Sequence, residues 1–270
     1  MATHTSLTSL QNQKVKRILS LRERKERDAT GFTIIEGVRE IQLAFDCGIR
    51  FEEIFVCPEL IAEDGVRAAV DGIASESKAA YKITKPVFKK VAFGNRLEGV
   101  LAVCRYPTYA LEDLLLAHNP LVVVVEKVEK PGNLGAILRT ADAAGVDGLI
   151  ICDGATDIYN PNVIRASIGT VFSVKTIQTS NKKALQFLKD NSVTICATTP
   201  HAHISYADVD CTAALAILLG SEQDGLSDFW LEHSDIQAAL PMRGKADSLN
   251  VSTSAAITIF EALRQRTQQP

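Results

Sequence analysis

Five consecutive apolar residues, Leu121-Val122-Val123-Val124-Val125, constrain the fold of this chain more than any other feature. Side chains of a strand point alternately to the two faces of its sheet, so a half-exposed strand alternates apolar and polar residues. A run without alternation belongs to a strand buried on both faces, as in a parallel sheet covered by helices. The residues that follow agree. A polar loop leads to a helical stretch at 133–144, closed by Gly145, and then to Gly148-Leu149-Ile150-Ile151-Cys152. Strand, helix and strand within about thirty residues read as a βαβ unit. Further buried strands are expected at 193–197 and 214–219 and a shorter one at 237–240, so residues 118–270 read as a mainly parallel α/β domain.

The first hundred residues have a different texture. Residues 7–25 read as a polar, basic helix, 32–36 as a strand, 38–46 as a helix, 54–57 as a strand stopped by Pro58, and 99–104 as a strand that runs out at Arg105-Tyr106-Pro107. This is a smaller α/β domain over 1–108, joined by a linker at 109–117. Charge separates the halves as well. The chain is −3 overall, but residues 1–110 hold 17 Lys+Arg against 14 Asp+Glu (+3), and 111–270 hold 12 against 18 (−6). Much of the basic excess is Lys14, Lys16, Arg17, Arg22, Arg24, Lys25 and Arg27, offset only by Glu23, Glu26 and Asp28. Such a stretch is either a solvated helix face or a surface that meets phosphates, and Lys14, Lys16 and Arg17 are its candidate phosphate contacts.

Several function classes fall away. The loop after the first buried strand, Glu126-Lys127-Val128-Glu129-Lys130-Pro131-Gly132, lacks the G-x-G-x-x-G of a dinucleotide site, and no G-x-x-x-x-G-K-[ST] occurs. His4, His118, His201, His203 and His233 have no metal-ligand spacing, so no metal is expected. The six cysteines contain no C-x-x-C pair and mostly sit in apolar runs, as reduced thiols of a cytoplasmic protein do. The N-terminus lacks the apolar core of a signal peptide, and no apolar run approaches the roughly 20 residues that span a bilayer, so no membrane partner is expected.

In a parallel sheet, ligands sit beyond the carboxyl ends of the strands. Three loops there are dense in glycine and polar residues: 126–133, 220–227 and 241–250. They carry Asn133-x-Gly135-x-x-x-Arg139, Gly220-x-Glu222-x-x-Gly225, and Pro241-Met242-x-Gly244-x-x-x-Ser248-Leu249-Asn250-Val251-Ser252 before the final helical stretch. These blocks, in this order over roughly residues 121–266, resemble the three motifs of the SpoU/TrmH (SPOUT) family of RNA 2′-O-ribose methyltransferases. The third is the most specific.

The resemblance implies a deep trefoil knot at the carboxyl end of the sheet, S-adenosylmethionine held in the knotted loops, and an active site completed across a homodimer. It also implies an N-terminal domain similar to small ribosomal RNA-binding proteins. Arg139 corresponds to the family's essential arginine. A guanidinium is a poor base because it is effectively always protonated, so its expected work is to clamp a substrate phosphate and stabilise the developing alkoxide. Asn133, in its helix or at the N-cap of it, Glu222 as acceptor from Asn133 or Arg139, and Ser248 and Asn250 complete the expected catalytic set. Thr198, Gly220, Gly225, Leu240, Met242 and Leu249 are expected around the cofactor, and Arg165 at a substrate phosphate. The family often carries Asp-Pro before the motif asparagine; here Pro131-Gly132-Asn133 stands instead, which predicts a looser loop. The last helix presents Val251, Ala255, Ile259 and Leu263 with Ala256 and Phe260 as one apolar face, equally suited to the core and to a dimer seam. The expected substrate is ribosomal RNA. The alternatives are a tRNA ribose methyltransferase and, in another class, a non-catalytic RNA-binding protein.

Overall fold

The apolar runs build two separate sheets. In a computed structural model of the chain, residues 5–93, 97–154 and 157–268 are described; His4 lies outside them. Contacts divide the chain into two units, Met1–Pro107 with Tyr159–Ser173, and Thr108–Ile158 with Val174–Pro270. The first holds β1 (Thr5–Leu7), α1 (Gln13–Ser20), α2 (Arg24–Thr30), β2 (Phe32–Glu36), α3 (Val38–Asp46), β3 (Phe51–Val56), α4 (Asp64–Glu76), β4 (Ala80–Ile83), α5 (Lys85–Val91) and β5 (Val100–Arg105). Its strands form a mixed sheet in the order β1-β4-β3-β5-β2, with β5 antiparallel to both neighbours. β2 and α3 have the bounds the sequence pattern predicts, whereas β3 starts at Phe51, three residues before the expected 54.

The single helix expected over 7–25 is broken. Leu7 ends a strand, Asn12 caps α1 by accepting from the Lys14 N–H at 2.9 Å, and the helix stops before Leu21. The break is bridged by Arg27, which reads from the sequence as part of a basic surface but is 1% exposed. Its Nη1 donates to the carbonyls of Leu21 (2.7 Å) and Arg22 (2.6 Å), the oxygens left without helical partners at the break. One buried guanidinium thus satisfies the corner between α1 and α2.

The second unit contains β6 (Leu121–Glu126), α6 (Pro131–Ala143) and β7 (Gly148–Cys152); after α7 (Pro161–Ala166), which belongs to the first unit, come β8 (Thr176–Thr179), α8 (Asn181–Asp190), β9 (Thr194–Thr198), β10 (Ile204–Ser205), β11 (Leu215–Leu219), α9 (Asp228–His233), β12 (Ile236–Ala239) and α10 (Val251–Thr267). The strands form a seven-stranded sheet in the order β10-β12-β9-β11-β6-β7-β8, with parallel pairing throughout. Every residue of β6, β7 and β11 is buried, as the unalternating runs require. Val122, Val124, Ile150, Ile195, Ala216 and Leu218 pack with Leu188 and Trp230 in one core cluster. Val251, Ala255 and Ile259 of α10 are buried, while Phe260 is 47% exposed, so the last helix uses only part of its apolar face within the chain. Five of the six cysteines are buried and Cys47 is exposed; burial pushes the Cys104 and Cys196 thiols up to about 12. Among the described residues no helix is long and apolar enough to cross a membrane, and no group of three or more His, Cys, Asp or Glu can hold a metal.

The sequence pattern assigns 118–270 to one domain, whereas Tyr159–Ser173 groups with the first unit. Thr33 Oγ1 of β2 donates to the Tyr159 carbonyl at 2.7 Å, and Tyr159 stacks on Tyr106 with ring centres 4.8 Å apart. Arg165, expected at a substrate phosphate, donates through Nη1 to the Phe93 carbonyl at 2.8 Å. The N–H of the same Phe93 donates to Glu36 Oε2. Burial pushes the Glu36 carboxyl up from 4.5 to about 7, against the pull of the Phe93 N–H and the Arg165 charge. Between those values the folded chain holds a proton that the unfolded chain has released, so this group makes stability fall as pH rises from 4.5 to 7 and levels off above that. Glu36→Gln removes the effect. In urea unfolding at pH 5 and pH 8, the variant should gain stability relative to the native chain at the higher pH; parallel profiles would refute the assignment.

Candidate active site at the carboxyl ends of the strands

The loop after β11 is held in a tight hairpin. Ser221 N–H donates to the Gly225 carbonyl at 3.0 Å, Gly225 N–H returns to the Ser221 carbonyl at 3.2 Å, and Asp224 N–H donates to Ser221 Oγ at 3.0 Å. Gly225 takes a left-handed φ of 69°. Gly220 sits under the returning backbone: a Cβ there would lie 2.0 Å from the Gly225 carbonyl carbon and 2.2 Å from the Leu226 nitrogen. Both glycines are therefore demanded by backbone geometry. The hairpin leaves Glu222 at its turn.

The far end of this loop is fixed by Glu126, the last residue of β6, which is 1% exposed. Its Oε2 accepts from the Ser227 N–H at 2.7 Å, and its Oε1 accepts from Ser227 Oγ and from Asn181 Nδ2, each at 2.7 Å. Asn181 Oδ1 in turn accepts from Trp230 Nε1 at 2.7 Å. Ser227 precedes the first turn of α9 and Asn181 opens α8, so one carboxylate faces the starts of two helices, where negative charge is favoured. A carboxylate that ends an all-buried strand needs partners, since an unpaired buried charge costs several kcal/mol. That logic marks Glu126 from the sequence alone, although sequence reasoning placed it only at the edge of a loop.

The three motifs meet through side chains. Ser252 donates to Asn250 Oδ1 from both N–H (2.9 Å) and Oγ (2.6 Å), Asn250 Nδ2 donates to Asn133 Oδ1 at 3.2 Å, and Asn133 Nδ2 donates to Glu222 Oε1. A carboxylate only accepts, so it fixes which end of each amide faces which neighbour. The bond expected between Asn133 and Glu222 is present. Asn133 is not, however, the N-cap of its helix. Lys130 holds that position and Pro131 takes the first helical turn, where proline's missing N–H is harmless. Gly132 consequently lies inside a helix, and the looser loop predicted for Pro131-Gly132-Asn133 is a regular helical turn. Arg139, farther along α6, is exposed and makes no hydrogen bond or ion pair among the described residues.

A cavity of about 440 Å³ opens at the carboxyl ends of the adjacent strands β12, β9 and β11. All six residues expected around a cofactor line it: Thr198, Gly220, Gly225, Leu240, Met242 and Leu249; so do Glu222 and Ser248 of the expected catalytic set. Asn133, Asn250 and Arg139 are outside the lining, the first two joined to Glu222 by the chain of amides. Leu219, Ser221, Leu226 and Leu231 line the cavity too. Ser221 lies inside the second motif and Leu226 directly after it, while Leu231 comes from α9 and no motif signals it. In the first unit, Lys14 Nζ pairs with Glu53 Oε1 and Arg17 Nη1 pairs with Glu53 Oε2 at 2.9 Å, with the Glu53 side chain only 5% exposed. Of the three candidate substrate contacts on α1, Lys16 alone is exposed.

The SpoU rRNA Methylase family matches residues 120–260, slightly more than half of the chain, and the MRM3-like substrate binding domain matches residues 12–102. The 23S rRNA (guanosine(2553)-2′-O)-methyltransferase RlmP of Bacillus subtilis is 29% identical over 254 residues, covering 94% of this chain and 97% of that protein. The crystal structure of an RNA 2′-O ribose methyltransferase is 38% identical, covers 97% of this chain and 100% of that one, and superposes with a TM-score of 0.86. That of an AdoMet-bound rRNA methyltransferase from Sinorhizobium meliloti has the same TM-score at 28% identity, with 96% of this chain and 97% of that chain covered.

Two substitutions test the architecture. Gly220→Ala forces the Gly225–Leu226 backbone out of place and should abolish ligand binding in the cavity while far-UV circular dichroism stays native; full binding by calorimetry would contradict the geometry. Glu126→Gln puts an amide donor against donors already in place and should cost about 1–3 kcal/mol of unfolding free energy. The single tryptophan, Trp230, reports it by a change in fluorescence.

Proposed function

The chain belongs to the SpoU rRNA Methylase family, and from that premise we propose that it transfers a methyl group from S-adenosylmethionine to a ribose 2′-hydroxyl of ribosomal RNA. The observation that carries this reading is the hydrogen-bonded chain Asn250–Asn133–Glu222, which ends on a carboxylate lining a cavity whose walls include all six residues expected around the cofactor. The cavity suits the donor in size, since small-molecule sites run to roughly 300–1,000 Å³. It suits it in chemistry too: Leu219, Leu226, Leu240 and Leu249 offer apolar surface to an adenine, and Thr198, Ser221 and Ser248 offer polar contacts. The bound cofactor supplies an electrophilic methyl on a sulfonium.

What remains is work for the protein's own groups. Glu222 holds the Asn133 amide, Asn133 holds Asn250, and Asn250 also caps α10, so the polar side of the site is set before substrate arrives. Arg139 has its guanidinium uncommitted, as a phosphate clamp requires. It holds the nucleotide in line and stabilises negative charge growing on the 2′-oxygen, and its permanent charge keeps it from serving as the base. Ribosomal RNA is favoured over tRNA because a relative matched over 94% of this chain is named a 23S rRNA methyltransferase. A non-catalytic RNA-binding role is disfavoured by the intact, ordered catalytic set.

The same reading includes a homodimer, a knotted path for the 220–227 and 241–250 loops, and a cytoplasmic location. Leu249 of the cavity wall and Phe260 of α10, 38% and 47% exposed, are apolar surface that a second copy covers. Labelled methyl transfer onto purified rRNA and tRNA, followed by mapping of the product, tests the assignment; methylation of a base, or of tRNA alone, overturns it. Arg139→Ala should lower kcat by about a hundredfold or more with S-adenosylmethionine affinity unchanged, and a fully active variant removes the arginine's role.

A further inference from the structure

The first unit carries a basic face that the cavity does not use. α1 and α5 pack together, with Val15, Ile18, Val87, Phe88 and Val91 buried in one cluster. Neither helix contains a single Asp or Glu, yet between them they carry Lys14, Lys16, Arg17, Lys85, Lys89 and Lys90. In a chain with a net charge of −3, this concentrates like charges on touching helices, where they repel. Internal pairing relieves the repulsion only in part. Glu53 takes Lys14 and Arg17, leaving Lys16, Lys85, Lys89 and Lys90 exposed and without a carboxylate partner among the described residues.

Favourable lysine placement at a helix C-terminus does not account for the pattern. The carbonyls at the end of α5 are already served by Arg22, whose Nη2 donates to Ala92 O at 2.7 Å and to Lys90 O at 3.2 Å. Arg22 also ties the corner after α1 to α5, fixing the two helices as one surface. Lys14 and Arg17 are fixed likewise, by Glu53 and by rings beneath them: Lys14 Nζ lies 4.7 Å from the Tyr81 ring centre and the Arg17 guanidinium 4.9 Å from that of Phe32.

Resting on the RNA methyltransferase reading, we infer that the α1–α5 face is where the first unit grips its RNA, through backbone phosphates and not through base edges. Exposed ammonium groups are point charges with no acceptor, so they attract phosphate without reading sequence. The work shifts from the ion-paired Lys14 and Arg17 to Lys16, Lys85, Lys89 and Lys90. Phosphate contacts of this kind position the substrate and leave choice of the nucleotide to the site around Arg139.

Counterion release makes the surface measurable, because each neutralised phosphate adds ~0.7–0.9 to the slope of log affinity against log salt. The full chain carrying Lys16→Gln, Lys85→Gln, Lys89→Gln and Lys90→Gln should bind a 23S rRNA transcript with that slope reduced by about 3. Its KM for the transcript should rise with kcat and S-adenosylmethionine affinity unchanged. A control variant with Lys182→Gln, Lys183→Gln and Lys189→Gln, exposed positions on α8, should keep the native slope. An unchanged slope in the α1–α5 variant, or equal loss in both variants, overturns the proposal. If the native chain binds the transcript through this face but methylates no RNA, the surface stands and the methyltransferase reading fails; if it methylates rRNA with the slope untouched in the variant, the reverse holds.

Discussion

One buried carboxylate organises the catalytic end of the second unit. Glu126 closes the central strand β6 and receives hydrogen bonds from the starts of α8 and α9, each at 2.7 Å. Without it, the N–H and hydroxyl of Ser227 and the amide of Asn181 would be short of a strong acceptor in a nearly dry setting. Because Ser227 lies two residues after the hairpin that closes between Ser221 and Gly225, anchoring Ser227 also anchors the return of the loop that carries Glu222. The apolar run 121–125 thus does two things: it builds the core, and it delivers a charge to a depth where only specific partners can satisfy it.

From there the order propagates by donor and acceptor count. Glu222 accepts, so Asn133 must present its NH₂ to it and its oxygen to Asn250; Asn250 then has only its oxygen left for the N-terminus of α10. Three segments distant in sequence are locked by a polarity that begins at a carboxylate and ends at a helix start. Such a chain needs no movement to become ordered when ligands arrive, which is the useful property for a site that must align a hydroxyl with a methyl group.

How much of this is legible in the sequence depends on whether the determinant is local. β6, β7, β2 and α3 are visible because their apolar patterns are fixed by the faces they bury. β8, with the sequence Thr176-Ile177-Gln178-Thr179, is invisible as a run because it is a short edge strand with mixed burial. The motif residues could be placed around one cavity because strand order brings the carboxyl ends of β9, β11 and β12 together whatever the details of the loops. Asn133 lies in the first turn and not at the cap because a proline two residues earlier starts the helix sooner than the asparagine can. Leu231, reaching the cavity from α9, has no local signature at all. The affiliation of Tyr159–Ser173 with the first unit is likewise a tertiary fact, held by contacts such as Thr33 to Tyr159 that no spacing announces.

Charge shows the same limit in its sharpest form. The run 14–27 reads as one basic surface, but folding sorts its members into different jobs. Arg27 goes inside to satisfy two carbonyls, Arg22 closes the end of α5, and Lys14 and Arg17 share a buried glutamate. Only after these are subtracted does the remaining positive surface appear, and it then draws on Lys85, Lys89 and Lys90, which lie about seventy residues away in sequence and are not part of the run. A cation count therefore bounds what a surface can bind, while the pattern of internal acceptors decides which cations are left to bind it.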